Sequence, residues 1–105
     1  MKMSKAAMTR LKKSDFWVEV LEVTKAWDFY LHAERPDFSA KMGAAFDVAS
    51  VETSARLSVI KKALTHITGK HYTFVSTDDD YMLVDPNDPT DILLEGKRYK
   101  PSDDD

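Results

Sequence analysis

At 105 residues, of which 43% are hydrophobic and 31% charged, the chain has room for one domain with one core and has the composition of a protein that folds. It contains no cysteine, which excludes disulfide bonds, thiolate catalysis and Cys-ligated metal centres. Residues 1–13 lack the apolar core of a signal peptide, and no apolar run reaches the length of a membrane span, so we expect a soluble, cytoplasmic protein without a membrane partner.

Charge is unevenly distributed along the chain, although the net charge is only −3. Residues 1–70 carry 12 basic and 8 acidic side chains, whereas residues 71–105 carry 3 basic and 10 acidic ones. Such an asymmetry can orient a molecule as it approaches a charged partner. Residues 1–13 contain no acid and predict a basic arm or a short helix, whose apolar side would hold Ala7, Met8 and Leu11.

Residues 14–34 predict a helix that begins at Ser14, a suitable cap. Apolar residues recur there at steps of four or three, as on one face of a helix: Phe16, Val20, Val23, Trp27 and Tyr30. A β-hairpin is the alternative, because valine and aromatic residues favour strands. Residues 24–26, between the two halves of that hairpin, lack the glycine or asparagine that tight turns prefer, so the helix is favoured.

Two more helices are expected before residue 70. Residues 38–48 predict a shorter helix that carries three residues inward: Met42, Ala45 and Phe46. After a break near residues 49–50, residues 50–69 predict the clearest amphipathic helix of the chain, capped by Ser50 and ended by Gly69. Its apolar stripe is formed by Leu57, Ile60, Leu64 and Ile67.

The remaining third of the chain predicts β-structure. Three short segments favour strands: residues 71–76, 81–85 and 91–94. Polar loops with aspartate or proline separate them at residues 77–80 and 85–89. Residues 95–97 are expected to turn the chain back into residues 98–100, and residues 101–105 to form a solvated acidic tail.

The predicted fold is therefore α+β: about three helices followed by a small antiparallel sheet, formed by a hairpin and a third strand, in a single domain over residues 14–100. A sheet of this size is marginally stable by itself, so its apolar face must pack on the helices.

No catalytic, cofactor or metal site is predicted. Carboxylate-rich loops suit calcium, but the EF-hand spacing of glycine and glutamate fails from Asp78, from Asp80 and from Asp85. Three histidines belong to no metal-binding motif and are expected at the surface or at helix ends: His32, His66 and His71. The GxSxG, GxxxxGK[ST] and GxGxxG motifs are also absent, so we do not expect an enzyme.

Nucleic-acid binding is the second hypothesis. Residues 38–48, the break and residues 50–69, followed by a hairpin, resemble in outline a winged helix-turn-helix, whose second helix enters the major groove. Basic side chains on this helix and on the N-terminal arm would contact phosphates: Lys12, Lys13, Arg56, Lys61 and Lys62. Against this hypothesis, the tip of the wing would carry three aspartates, and the whole chain is acidic.

The leading hypothesis is a small protein-interaction module that acts as an inhibitor, adaptor or regulatory subunit of a larger protein, such as a phage or mobile element could encode. Residues 14–34 are apolar on more than one face, so they need burial on two sides, and the second side could be another protein or a second copy in a homodimer. Tryptophan and tyrosine also dominate the energetics of protein interfaces. The predicted contact residues are Trp17, Trp27, Phe29 and Tyr30, with Asp78, Asp79 and Asp80 at a charged rim.

Overall fold

The computed structural model describes residues 3–100 and shows three helices followed by a three-stranded antiparallel sheet. This arrangement confirms the predicted α+β fold. The elements are α1 (Lys5–Lys12), α2 (Asp15–His32), α3 (Ala40–Thr68), β1 (Thr73–Ser76), β2 (Asp80–Asp85) and β3 (Asp88–Lys97). The predicted acidic tail, residues 101–105, lies outside the described residues, as do Met1 and Lys2.

Serine side chains begin all three helices. The hydroxyls of Ser4, Ser14 and Ser39 each accept a hydrogen bond from the backbone N–H three residues later, which satisfies a donor that the first helical turn leaves free. The C-terminus of α3 is fixed by Gly69, whose φ of 76° lies in the left-handed region. The helical interpretation of residues 14–34 is thus confirmed, and so is the predicted stop at Gly69.

The expected break near residues 49–50 is wrong, because α3 continues through it as one helix of 29 residues. Ser50 does not cap a new helix; its hydroxyl donates to the carbonyl of Asp47 within α3 at 2.8 Å. Neither Ala49 nor Ser50 interrupts a helix in the way that glycine or proline does. The turn of a helix-turn-helix is therefore missing from residues 38–69.

Helices α2 and α3 form an antiparallel hairpin. The ring of Tyr30 near the end of α2 contacts Phe46 near the start of α3, with ring centroids 5.2 Å apart. Further along, Glu19 of α2 lies 3.4 Å from the guanidinium of Arg56 of α3. At about 1.5 Å per residue, α3 is roughly 43 Å long, which accounts for most of the 49 Å long axis of the molecule.

The sheet has the order β1-β2-β3. Strand β3 is longer than predicted, since it starts directly after the turn at residues 86–87 and continues to Lys97. The expected turn at residues 95–97 is wrong: Gly96 pairs with Tyr81 of β2 in register. The phenol ring of Tyr81 lies against Gly96, where a Cβ would clash with it, so this glycine serves cross-strand packing rather than a turn.

The core lies between the helix hairpin and one face of the sheet. Its buried apolar residues come from all the layers and include Leu11, Val20, Val23, Leu57, Ile60, Leu64, Leu83 and Leu94. Three residues of α3 that were predicted to point inward are exposed instead: Met42, Ala45 and Ile67. Met42 lies near the start of α3, beyond the part that packs on α2. Within residues 3–100, no helix combines the length and the apolarity needed to cross a membrane.

Candidate interaction surface

Four polar side chains meet where the end of α2 touches the sheet: Asp28, His32, Ser76 and Arg98. Asp28 is only 1% exposed and accepts hydrogen bonds from the Tyr99 backbone N–H at 2.6 Å and from the Ser76 hydroxyl at 3.4 Å. The His32 ring lies 3.0 Å from the Ser76 hydroxyl through Nε2, and its Nδ1 lies 2.9 Å from an Arg98 guanidinium nitrogen. This cluster ties the segment after β3 to α2.

The serine, histidine and aspartate of this cluster are not arranged as a hydrolytic triad. In a triad the carboxylate accepts from one imidazole nitrogen while the other nitrogen takes the proton of the serine. Here the guanidinium of Arg98 donates to Nδ1 of His32, so Nε2 carries the ring proton and cannot accept another from Ser76. The arrangement stabilises the joint between α2 and the sheet and offers no general base.

Sequence reasoning missed this cluster, although one signal for it was present. Asp28 and His32 are four residues apart, so they lie on one face of the helix that residues 14–34 predict. Ser76 and Arg98 follow 44 and 66 residues after His32, and only the fold brings them together. Within residues 3–100, no group of three or more histidine or carboxylate side chains is placed to hold a metal ion.

A second polar cluster closes the opposite end of the sheet. The ammonium of Lys70 is paired with Asp91 and lies 3.7 Å from Asp85, while the Tyr72 hydroxyl lies 3.3 Å from the Asp91 carboxylate. The hydrogen bond to Asp91 raises the pKa of Lys70, and burial raises the pKa of Tyr72. Both shifts favour the protonated forms, so this cluster is a structural tie rather than a source of a reactive base.

The predicted acidic rim lies at the turn between β1 and β2, where neighbouring cations balance most of its charge. Asp79 is 2.9 Å from the ammonium of Lys100, and Asp80 is 3.7 Å from that of Lys97. The hydrogen bond from Lys100 lowers the pKa of Asp79. The carboxylate of Asp78 is exposed, and it is the one of the three with no ion pair among the described residues.

The predicted basic contacts do not form one surface. Arg56 is paired with Glu19, and the ammonium of Lys12 lies 5.8 Å from the centre of the Trp17 ring. Lys13 is exposed at the end of α1. Lys61 and Lys62 line a groove of about 410 Å³ between α3 and the segment that leads to β1, together with Ser58, Thr65, His71 and Tyr72.

The four aromatic contact residues that the sequence predicts lie in different environments. Trp17 is 8% exposed and belongs to the core, so its ring is not available at the surface. Trp27 is half-buried and lines a groove with residues of α3. Phe29 is partly exposed and stands between the rings of Tyr30 and Tyr99, with centroids 5.3 and 4.7 Å away. Tyr30 in turn packs on Phe46.

The most exposed large apolar side chains near this aromatic row lie at one end of the hairpin. We call Leu31, Phe38 and Met42 the hairpin tip; their side chains are 47%, 74% and 45% exposed. The connecting segment that carries Phe38 is held on α3, because Arg35 pairs with Asp47 at 2.7 Å and the Pro36 carbonyl lies close to the buried Gly43. The tip is therefore positioned by packing, even though its apolar side chains face outward.

Sequence reasoning placed Phe38 and Met42 in a helix and did not select them as contact residues. A signal was available for Phe38. It precedes the capping Ser39, a position from which an apolar side chain usually packs on the fourth residue of the helix. That residue is Gly43, which has no side chain, so Phe38 has no local apolar partner.

No protein-family model matches the chain, and no curated protein or solved structure is significantly similar to it. The surface just described therefore rests on the geometry of this molecule alone.

Proposed function

We propose that the chain is a small non-enzymatic interaction module, an inhibitor, adaptor or regulatory subunit, that binds another protein through the hairpin tip. The partner would offer an apolar pocket for Phe38, bordered by a surface that covers Leu31 and Met42. A cytoplasmic location is part of the proposal.

The observation that supports this proposal most directly is the exposure of Phe38, at 74% the highest among the large apolar residues of the described chain. Burying a phenylalanine ring that is exposed to water contributes roughly 2 kcal/mol of favourable free energy, and a partner that covers Phe38 would gain it. Phe38 has apolar neighbours at the same end of the hairpin, and apolar patches of this kind on small proteins often mark interaction sites.

The held conformation of the tip also favours binding. The segment of residues 33–39 is held by the Arg35–Asp47 pair and by packing on Gly43, so binding would not have to order a mobile loop. A contact group that is already ordered loses less conformational entropy on association. The aromatic row from Tyr99 to Phe46 stiffens the base of the tip in the same way.

The test is a pull-down of the tagged chain from its native source, with and without nuclease, read by mass spectrometry. The tip variant carries Phe38→Ala and Met42→Ala. The control carries Val75→Ala and Ile92→Ala, two exposed apolar residues of the sheet that lie away from the tip. A partner seated on the tip should be recovered in stoichiometric amount with the wild type and the control, and its affinity for the tip variant should fall at least tenfold.

Equal recovery with all three proteins would refute the role of the tip. Recovery of nucleic acid, with proteins lost on nuclease treatment, would favour the nucleic-acid hypothesis and direct attention to Lys61 and Lys62. Circular dichroism of each variant shows whether a loss of binding reflects a loss of fold.

A further inference from the structure

The outer face of α3 is apolar along most of its length, and no described part of the chain covers it. We call this stripe the outer face of α3; its residues are Ala44, Val48, Val51, Ala55 and Val59. The three valines are 57%, 68% and 66% exposed, on the side of the helix opposite the buried Leu57 and Leu64. Three β-branched side chains in water on one helix face are unusual for a monomer of this size.

Trp27 adjoins this stripe. Together with Ser50, Val51, Ser54 and Ala55 it lines a groove of about 390 Å³. Trp27 is half-buried against α3, so part of its indole ring remains available beside Val51. The stripe and the groove thus form one continuous apolar surface, separate from the hairpin tip.

We propose that this surface pairs with the same surface of a second copy of the chain, with the two α3 helices antiparallel. The residues from Ala44 to Ala55 are spaced by four, three and four positions, which is the spacing of a helix–helix seam. Alanine at two of these positions lets the helix axes approach closely. The proposal is independent of the tip, which lies beyond the start of the stripe.

The charges beside the stripe favour the antiparallel arrangement. With the two-fold axis near residues 53–54, Val48 lies opposite Val59 of the second copy, and Ala55 lies near the second copy's Val51. The same axis places Glu52 close to Arg56 of the second copy, twice by symmetry. The guanidinium of Arg56 is exposed and lies 3.4 Å from Glu19 of its own chain, and its remaining N–H donors would be free to meet the second carboxylate. A parallel pair would instead set each residue of the stripe beside its own copy and would place the Glu52–Arg56 flanks of the two chains on opposite sides of the contact, so neither of these charge pairs would form.

The dimer should be weak and reversible. The contact would extend over about four helical turns, or roughly 22 Å, and its side chains are small. Such an interface lies below the roughly 1,200 Å² of total area typical of stable complexes, so we expect a dissociation constant on the order of micromolar to tens of micromolar. The two hairpin tips would point in opposite directions, which would give the dimer two separate binding ends.

Association is tested by sedimentation equilibrium of the full chain. Concentrations from about 5 to about 500 µM span the expected dissociation constant. The mass should rise from 12.0 kDa toward twice that value. Val51→Lys places a charge at the centre of the contact and should weaken association at least tenfold, whereas Ile92→Lys, on the exposed outer face of the sheet, should leave it unchanged. A mass of 12.0 kDa at every concentration, or equal weakening by the two variants, would overturn the proposal.

The absence of native cysteine allows a direct test of orientation. Val48→Cys and Val59→Cys proteins are mixed in a glutathione redox buffer, and the disulfide-linked species are counted by mass. The antiparallel pair predicts the mixed species, in which one chain of each variant is linked. Two copies of the Val48→Cys protein should not be linked to each other, because position 48 lies roughly 16 Å along the axis from its own copy, beyond the reach of a disulfide.

Predominance of the species that links two Val48→Cys chains would overturn the antiparallel arrangement. Either result is independent of whether Phe38→Ala affects partner capture, so the two proposals can fail separately.

Discussion

Replacing Gly96 with alanine should destabilise the sheet, and the reason is the ring of Tyr81. Gly96 pairs with Tyr81 across β2 and β3, and Tyr81 is a buried member of the core. A Cβ at position 96 would lie 2.8 Å from Cε1 of that ring and nearer still to Cζ and the hydroxyl oxygen. Carbon atoms do not approach so closely, so the ring or the strand must move.

The expected cost follows from overpacking. Forcing an extra methyl group into a packed site costs about 1–3 kcal/mol, since Tyr81 packs on Phe74 and the core and has little freedom to move. Backbone strain does not contribute, because Gly96 does not have a positive φ. For a domain of this size each kcal/mol lowers Tm by roughly 4–8 °C, so Gly96→Ala should lower Tm by about 5–20 °C.

Gly43→Ala is the matched control, since it is the same chemical change at a buried glycine. Its Cβ would have ordinary van der Waals neighbours, the nearest being the Pro36 carbonyl at 3.5 Å. Gly43 lies inside α3, where alanine is preferred over glycine by about 1 kcal/mol, so this variant should be more stable than the wild type. Thermal unfolding by circular dichroism measures both.

Removing the ring of Tyr81 should make the substitution at Gly96 less costly. In a Tyr81→Leu background the ring is gone, and Gly96→Ala should then cost less than in the wild type by about 1 kcal/mol or more, a coupling that a double-mutant cycle measures. An unchanged Tm for Gly96→Ala, or the same loss in both backgrounds, would refute the role assigned to the ring.

Three further predictions concern buried groups. Asp28→Ala should lower the free energy of unfolding, measured in urea, by about 3 kcal/mol, because the Tyr99 N–H and the Ser76 hydroxyl lose their buried acceptor. The control is Glu22→Ala, at an exposed position of the same helix, which should change this free energy by less than about 0.5 kcal/mol. Leu64→Ala, at a fully buried position, should cost about 2–5 kcal/mol in the same assay, and a loss below about 1 kcal/mol would contradict the assigned core. Burial raises the pKa of Tyr72 and the pKa of Tyr81 above 10.0; the stability linked to these groups is therefore complete below pH 10.0 and declines as pH rises through their folded pKa values. Tyr72→Phe and Tyr81→Phe should each make the loss of stability at alkaline pH smaller. Each should also remove one group that ionises above pH 10.0 from a titration followed by phenolate absorbance. Ionisation of both groups at or below pH 10.0 would contradict their burial.

The sequence by itself determined the helical half of the fold. Serine caps, the glycine stop at Gly69 and the apolar period of residues 14–34 are local signals, and each depends on neighbours within about one helical turn. The same kind of signal located β1 and β2, because alternation and polar turns are also local. The false break at residues 49–50 shows the limit: no local residue enforced it, and packing on α2 along the hairpin allowed α3 to continue.

Tertiary structure alone decided which apolar residues reach the surface. The sequence could not distinguish Trp17, which lies in the core, from the half-buried Trp27, because both lie on apolar sides of one helix. It could not show that Met42 lies beyond the packed part of α3, since that depends on how far the two helices overlap. The polar cluster at the end of α2 forms only because the sheet folds back on that helix. It brings Ser76 and Arg98 to Asp28 and His32. Exposure and long-range juxtaposition are properties of the whole packed chain, and every candidate contact surface of this protein depends on them.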